Sequence, residues 1–408
     1  MGMLGDKRFI RTLRLQNFLS FGPASPEIEL KSLNVLIGPN GAGKSNFIEA
    51  IDFLAASATD LTRPIRSGGG VQEWIWKGLP DTVTAEIDAT LYYPENSVPL
   101  RHRLSFSAVN SRFELIDEAV ENEYAFPDKP DVYFYYRYQQ GHPVLNVQLP
   151  DTNGTSATYP SGVRNLRRED LELDQSVIKQ RRDPELYPEI TYLGNNYPRI
   201  KLYREWNLGR NTPARKPQAV DAPNDFLRED ASNLGLVLNM LERNRAVHNQ
   251  IEEHLRDFYA SFDSISILFE GGTIQVFLNE TGFNHPIPAT RLSDGTLRYL
   301  CLLAVLCHPK PPPLICIEEP ELGLHPDIMP NIADLLIDAS HRTQLIVTTH
   351  SDILIDALSE IPEAVIVCEK ENGSTNMQRL SQHNLKEWLK DYSLGKLWRD
   401  GELGGNRW

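Results

Sequence analysis

Eight residues near the start of the chain have the types and spacing of a phosphate-binding loop. Residues 38–45 read GPNGAGKS and match the pattern G-x-x-x-x-G-K-[ST]. Glycines in this pattern let backbone N–H groups wrap around phosphates, the lysine reaches the β- and γ-phosphates, and the final hydroxyl ligates Mg²⁺. The phosphates would also meet a helix N-terminus, which favours anions. We therefore expect a nucleoside triphosphate to be bound by Asn40, Gly41, Gly43, Lys44, Ser45 and Asn46.

The neighbouring elements are those that such a loop needs. Residues 33–37 form a short apolar run typical of a buried strand, and residues 46–56 have the broad apolar side of a buried helix. A plain glycine-rich turn does not require this strand, loop and helix order. The context therefore favours nucleotide binding over a simple turn.

Two adjacent carboxylates end a second apolar run far along the chain. Residues 314–317 predict a buried strand, and Glu318 and Glu319 follow it directly. Glu318 lies 274 residues after Lys44. Two acids at the end of a buried strand, followed by proline, are not typical of a solvated surface. We expect them to meet the nucleotide held by the first motif, so the nucleotide-binding core is split by a large insertion.

A serine and a histidine complete the set of candidate residues. Ser293 and Gly295 lie in the sequence LSDGT, ahead of an apolar helix at residues 297–306. A Ser-x-Gly turn at a helix start presents a hydroxyl and free N–H groups, which is a second phosphate-binding arrangement. His350 follows the apolar run 345–349, which predicts another buried strand.

Composition excludes several classes of protein. The chain has 408 residues, 41% of them hydrophobic, and its formal charge of −14 argues against general binding to nucleic acid. A local excess of basic residues exists at 161–216, with 12 Lys and Arg against 8 Asp and Glu. No apolar run predicts a membrane span or a signal peptide, and the four cysteines lie in apolar stretches without metal-site spacing. We expect buried, reduced thiols in a cytoplasmic protein that does not contact a membrane.

The remaining chain predicts a division into three parts. We expect the N-terminal half of the nucleotide-binding core at residues 1–115, an insertion at 116–225 and the C-terminal half at 226–408. Alternating patterns predict an antiparallel meander through the first part and into the second. The charged stretch 163–182 predicts a helix, and the proline-containing stretch 207–224 predicts an irregular linker.

The order of these motifs resembles that of the ABC-type ATPases. They would be Walker A (residues 38–45), signature (292–296), Walker B (314–319), D-loop (321–326) and switch histidine (His350). The split core and the entry NFLSFG at 17–22 resemble the SMC, RecF and OLD branch. The motifs LSDGTLRYL, EEPELGLHP, TTHSD and LYREWN resemble its stand-alone ATPases, known as AAA-family in a loose sense. The resemblance implies an α/β fold: an ABC-type P-loop ATPase head with an antiparallel β subdomain and a mixed α/β insertion splitting the core.

The resemblance also implies roles for single residues. Glu318, with Ser45, would hold Mg²⁺, although this branch more often has Asp at that position. Glu319 would orient and deprotonate the attacking water, and His350 would sense the γ-phosphate. Ser293 and Gly295 would reach ATP bound by a second copy, which implies head-to-tail dimerisation around two ATP molecules. The glutamine of the Q-loop is not identified, and the candidates are Gln72, Gln139 and Gln140.

Three functions are compatible with an ATPase of this branch. In the first, ATP-driven dimerisation gates a partner effector protein, as in bacterial genome defence. In the second, the dimer clamps DNA during repair, as RecF and SMC heads do. The third, an OLD-like nuclease, needs a longer segment after His350 than the 58 residues present. The acidic charge and the lack of a long heptad repeat favour the first function, and the basic excess at 161–216 keeps the second open.

Overall fold

The computed structural model describes residues 8–78, 83–96, 98–127, 130–139, 142–147, 162–165, 171–172 and 174–405. The strands in chain order are β1 (Ile10–Gln16), β2 (Ile28–Glu29), β3 (Leu33–Ile37), β4 (Ala85–Leu91), β5 (Leu100–Val109), β6 (Arg112–Asn122), β7 (Phe134–Gln139), β8 (His142–Val147), β9 (Gly162–Asn165), β10 (Lys201–Tyr203), β11 (Gln218–Ala219), β12 (Phe262–Glu270), β13 (Thr273–Glu280), β14 (Ile287–Pro288), β15 (Leu314–Glu318), β16 (Gln344–Thr348), β17 (Val365–Glu371) and β18 (Ser374–Arg379).

The helices are α1 (Lys44–Ala56), α2 (Thr62–Ser67), α3 (Val71–Trp74), α4 (Val177–Gln180), α5 (Pro188–Asn196), α6 (Leu234–Glu242), α7 (Arg245–Phe258), α8 (Asp294–Leu306), α9 (Met329–Ser340), α10 (Asp352–Asp356), α11 (Gln382–Leu385) and α12 (Leu394–Arg399). Among the described residues, no helix is both long enough and apolar enough to cross a bilayer.

A six-stranded sheet carries the motifs. Its order is β10-β15-β16-β3-β17-β18, and every neighbouring pair is parallel except β17 with β18. In register, Glu318 lies beside Thr348, and Thr348 lies beside Leu36. The carboxyl ends of β3, β15 and β16 therefore meet at one edge, and each is followed by one of the predicted motifs.

This sheet separates two hydrophobic cores, because successive side chains of a strand point to opposite faces. In β3, Leu36 packs in one core, while Val35 and Ile37 pack in the other. The first core also contains α1 and the eight-stranded antiparallel sheet β2-β1-β4-β5-β6-β7-β8-β9. The second contains α6, α7, α8 and α9. Both faces of the central strands are covered, which explains their continuous apolar sequences.

The antiparallel sheet continues across the boundary predicted at residue 115. β6 runs from Arg112 to Asn122, and β7, β8 and β9 extend the same sheet. The helix predicted at 163–182 is wrong over most of its described residues, since Gly162–Asn165 is a strand paired with β8 and only Val177–Gln180 is helical; residues 166–170 and 173 lie outside the described part of the chain. Strand β9 depends on a partner distant in sequence, which local composition does not reveal.

The four cysteines are free and buried, as their apolar surroundings predicted. Burial raises the pKa of Cys301, Cys307 and Cys368 to about 12. Their thiolate fraction at neutral pH is therefore very small, and they act as small apolar residues of the core.

Candidate active site

The loop between β3 and α1 has three glycines in the left-handed half of backbone space. Gly38, Gly41 and Gly43 have φ values of 144°, 79° and 101°. A Cβ on Gly43 would lie 2.2 Å from Thr375 Oγ1, whereas a Cβ on Gly41 would meet no atom within 4 Å. Gly43 is therefore required both for its φ and for its close approach to β18, and Gly41 for its φ alone.

This difference predicts unequal costs for two glycine substitutions. We expect Gly41→Ala to lower the free energy of unfolding by about 1–2 kcal/mol, the cost of a left-handed alanine. Gly43→Ala should cost roughly 1–3 kcal/mol more, because the new methyl group also overlaps Thr375. Urea unfolding without nucleotide measures both values, and equal costs would contradict the described contact.

Lys44, the first residue of α1, folds back over this loop. It is buried, and its Nζ donates to the carbonyl oxygens of Gly38 at 2.7 Å and Pro39 at 3.0 Å. Burial lowers the pKa of Lys44, while the negative charges of Glu319 and Glu318 act in the opposite direction. The ammonium group is thus held at the loop, within the electrostatic reach of both Walker B carboxylates.

Ser45 and Glu318 are brought together from positions 273 residues apart. The Ser45 hydroxyl donates to Glu318 Oε2 at 2.8 Å, and burial raises the pKa of Glu318. A hydroxyl and a carboxylate at the opening of a phosphate loop are the oxygen donors that Mg²⁺ takes. The residues present therefore fit this cation, and the longer Glu side chain at this position still reaches Ser45.

Glu319 has a backbone conformation that is unusual for its type. Its φ is 46°, and its N–H donates to the carbonyl of Thr348 at 3.0 Å. Left-handed non-glycine residues cost about 1–2 kcal/mol and occur most often at functional sites. The turn directs the partly exposed carboxylate toward His350, whose Nε2 lies 3.7 Å from Glu319 Oε1.

Glu321 fixes the backbone before and at this histidine. Its Oε1 accepts hydrogen bonds from the Thr349 hydroxyl and the His350 N–H, both at 2.7 Å. Burial raises the pKa of Glu321. We did not single out this residue from sequence, although it belongs to the D-loop motif EEPELGLHP, which was the available signal.

Ser293 and Gly295 lie at the start of α8. Ser293 is the N-cap, and its exposed Oγ accepts from the Thr296 N–H at 3.0 Å. A Cβ on Gly295 would lie 2.8 Å from the carbonyl oxygen of Gly323, so only glycine fits against the D-loop here. The described hydrogen bonds of Ser293 are local, and its hydroxyl faces solvent.

Arg204 stands where β10 leaves the central sheet beside the Walker B strand. Its Nη1 donates to Glu49 Oε1 of α1 at 2.6 Å, and its Nε lies 3.8 Å from Glu318 Oε1. Neither described glutamine candidate occupies this place, since Gln72 is on α3 and Gln139 is on β7; Gln140 lies outside the described residues. Sequence analysis assigned no role to Arg204, although the residue lies in the motif LYREWN, which was the available signal; β10 itself has only three residues, too few for periodicity.

A cavity of about 470 Å³ adjoins the phosphate loop. Its lining includes Ser20 and Asn46, together with Trp76, Lys370 and Asn372. Ser20 is tied to the loop through Thr375, whose hydroxyl donates to the carbonyl of Ala42 at 2.9 Å and lies within hydrogen-bonding distance of Ser20 Oγ, at 2.7 Å. The site therefore has an open volume beside the residues expected to hold phosphates.

Comparison with known proteins identifies the family of this chain. The model of the family described as "AAA domain, putative AbiEii toxin, Type IV TA system" matches residues 33–356. The chain belongs to this family. A Helicobacter pylori protein named ATP/GTP phosphatase is 22% identical over 360 residues, which are 86% of this chain and 88% of that protein.

Other relatives match over shorter stretches. The Old nuclease of Escherichia phage P2 is 26% identical over 176 residues, 38% of this chain and 29% of that protein. The DNA replication and repair protein RecF of Streptococcus uberis is 46% identical over 55 residues, 14% of this chain and 15% of RecF. The chain thus spans only a small part of either protein's length.

Solved structures show the fold. An SMC head bound to the C-winged helix domain of ScpA has a TM-score of 0.57 at 16% identity, covering 92% of this chain and 99% of that one. The SMC head from Pyrococcus furiosus, with an extended coiled coil and the C-terminal domain of ScpA, has a TM-score of 0.54 at 14% identity. The match covers 94% of this chain and 99% of that one. The predicted fold class and the assignment to the SMC, RecF and OLD branch are confirmed. The chain is an ATP hydrolase of the ABC type.

Proposed function

We propose that the chain is an ATP-driven switch whose two copies close head to tail around two ATP molecules. The observation that carries this proposal is the arrangement of the two phosphate-binding elements. The loop at 38–45 lies at one sheet edge with Glu318, Glu319 and His350, whereas Ser293 presents a solvent-facing hydroxyl at the start of α8. A second copy would bring this hydroxyl and the N-terminus of α8 to the γ-phosphate.

Each residue of the composite site has a chemical role in this proposal. Lys44 and the N–H groups of residues 40–46 bind and orient the phosphates. Ser45 and Glu318 would hold Mg²⁺, which would supply positive charge beside the phosphates. Glu319 accepts the proton of the attacking water, and His350, beside it, contacts the γ-phosphate and keeps Glu319 oriented. The cavity with Trp76 takes the nucleoside.

A partner protein is the favoured recipient of the signal. The net charge of −14 disfavours a general nucleic-acid surface. The family is described as a putative AbiEii toxin of a type IV toxin–antitoxin system, the related Old nuclease belongs to a phage, and the SMC head was solved with a bound protein, ScpA. We therefore propose that the closed dimer gates an effector protein in bacterial genome defence, in the cytoplasm.

DNA clamping is the second candidate. It is supported by the names of two relatives, RecF and the Rad50 double-strand break repair ATPase of Sulfolobus acidocaldarius. It is also supported by the exposed residues Arg199 and Lys216 of the basic stretch 161–216, whereas Arg204 and Arg215 of this stretch are engaged within the protein. A DNA clamp would use exposed basic residues of this kind for phosphate contacts.

Steady-state ATPase rates separate the two candidates. We expect a slow basal rate that neither duplex nor single-stranded DNA changes at low or moderate salt. Stimulation by DNA that declines with salt, and that Arg199→Glu with Lys216→Glu removes, would instead establish the clamp. The exposed basic pair Arg243 and Arg245, outside 161–216, provides a matched double substitution, to Glu, that should leave either response unchanged.

A further inference from the structure

Arg215 is a buried arginine outside the predicted nucleotide motifs. It lies in a 3-10 turn, Pro213–Arg215, and is only 3% exposed. Its Nε donates to the carbonyl of Leu208 at 2.7 Å. Its other described hydrogen bonds are made with Ala289, just before the signature motif, and with Leu292 and Asp294 within that motif.

These bonds hold both sequence neighbours of the serine. Arg215 Nη1 donates to the carbonyls of Ala289 at 3.2 Å and Leu292 at 2.5 Å, and its Nη2 donates to the side-chain carboxylate of Asp294. Leu292 and Asp294 are the immediate neighbours of Ser293. A single rigid guanidinium therefore fixes the carbonyl before Ser293 and the side chain after it, and in this way restricts where the Ser293 hydroxyl lies.

Burying an arginine side chain is energetically costly, so the partners that compensate this cost indicate what the residue does. Removing an arginine from water is unfavourable unless its N–H groups find partners, and only one of the four partners here carries a charge. The Asp294 side chain is 71% exposed, so the ion pair lies at the outer end of the guanidinium. The buried end is used entirely to bind main-chain carbonyls.

The segment that carries Arg215 also begins at the nucleotide site. Arg204, eleven residues earlier, lies between Glu49 of α1 and Glu318. Between the two arginines, the Trp206 carbonyl accepts from Arg298 of α8 at 3.4 Å, and Arg298 lies over the Trp206 ring at 5.7 Å. The segment 204–215 is thus held at three places: at Glu318, at α8 and at residues 289–294 before and within the signature motif.

We propose that Arg215 is a positioning residue for the signature loop, here residues 292–295, and fixes the geometry in which Ser293 meets ATP bound to a second copy. The inference rests on the proposed head-to-tail dimer. It assigns Arg215 no role at the nucleotide of its own subunit. Loss of its bonds should therefore impair the partner's hydrolysis and leave ATP binding by its own P-loop intact.

The first test compares binding with turnover in single variants. Arg215→Gln should lower kcat on the order of 10- to 100-fold, as expected for lost hydrogen bonds to a charged group, with an unchanged Kd for ATP in the monomer. Asp294→Asn, which changes an exposed group and leaves the arginine buried, should fold normally and lower kcat by a smaller factor. Arg210→Gln, an exposed arginine of the same segment, is the matched control and should keep wild-type values. Wild-type kcat in both Arg215→Gln and Asp294→Asn would overturn the inference.

The second test asks in which subunit Arg215 acts. A Lys44→Ala copy lacks a nucleotide site of its own but retains an intact signature loop. Mixed with Arg215→Gln, it should restore up to about a quarter of wild-type activity, since half of randomly formed dimers are mixed and each has one complete site. A defect in folding or in the arginine's own P-loop would not be restored in this way.

A third mixture separates failure of the inference from failure of the proposed dimer. Ser293→Ala with Lys44→Ala should also regain activity, while Ser293→Ala with Arg215→Gln should not, because both carry damaged signature loops. If Ser293→Ala mixed with Lys44→Ala recovers, and Arg215→Gln mixed with Lys44→Ala does not, Arg215 is not a signature positioning residue. If neither recovers, the head-to-tail site itself is wrong.

Discussion

Lys44→Ala should abolish ATP binding. The substitution removes the cation that the loop holds through the carbonyls of Gly38 and Pro39, and with it the charge-assisted bonds to two phosphates. We expect affinity to fall on the order of 100-fold or more. Isothermal titration calorimetry with ATP and Mg²⁺ measures the loss directly.

A matched control and a contradicting result are available for this prediction. Lys386→Ala removes the same charge from an exposed position and should leave ATP affinity unchanged. The loss must not reflect unfolding, so the thermal unfolding temperature of the Lys44→Ala variant should be measured without nucleotide. A folded Lys44→Ala variant that still binds ATP tightly would overturn the assignment of the phosphate loop.

Glu319→Gln should retain ATP binding and stop hydrolysis. The amide keeps the size of the side chain, and the hydrogen bond from its backbone N–H to Thr348 does not depend on the carboxylate. It cannot accept the proton of the attacking water, so kcat should fall about 10²- to 10⁴-fold. Because hydrolysis opens the proposed dimer, the variant should accumulate as a dimer with ATP, measurable by light scattering during gel filtration.

Glu360→Gln, a change at an exposed surface carboxylate, should have no effect on either measurement. Turnover of Glu319→Gln close to the wild-type rate would remove Glu319 from the role of base. Loss of hydrolysis without dimer accumulation would leave the base assignment standing and contradict the switch.

Sequence patterns located the central strands and the first helix almost to the residue. The predicted strand 33–37 is β3, the predicted helix 46–56 lies within α1, and the predicted strand 314–317 lies within β15. These elements have long apolar runs or clear periodicity, so their local sequence is sufficient. Ser45 and Glu318 could be paired from sequence because each follows such a strand.

The short pieces of the insertion were not accessible in the same way. Strand β9 exists only through its pairing with β8, and β10 only through its pairing with β15. A three- or four-residue strand has too few residues for a pattern, and its stability comes from partners distant in the chain. The same limit concealed the place of Arg204 beside Glu318, which depends on β10, although the residue itself lies in the motif LYREWN.

The sequence by itself determined the type of chemistry. The phosphate loop, the two carboxylates at a strand end and the histidine after a strand are each visible in a short stretch of sequence, and their residue types indicate nucleotide hydrolysis. Only the tertiary structure decided which further side chains serve them. Glu321 and Arg204 lie within the motifs EEPELGLHP and LYREWN, but only the fold shows that Glu321 binds the Thr349 hydroxyl and the His350 N–H and that Arg204 lies beside Glu318. Arg215 lies in no quoted motif, and it gains its role from burial and from main-chain carbonyls, which every residue has and which therefore give no sequence pattern.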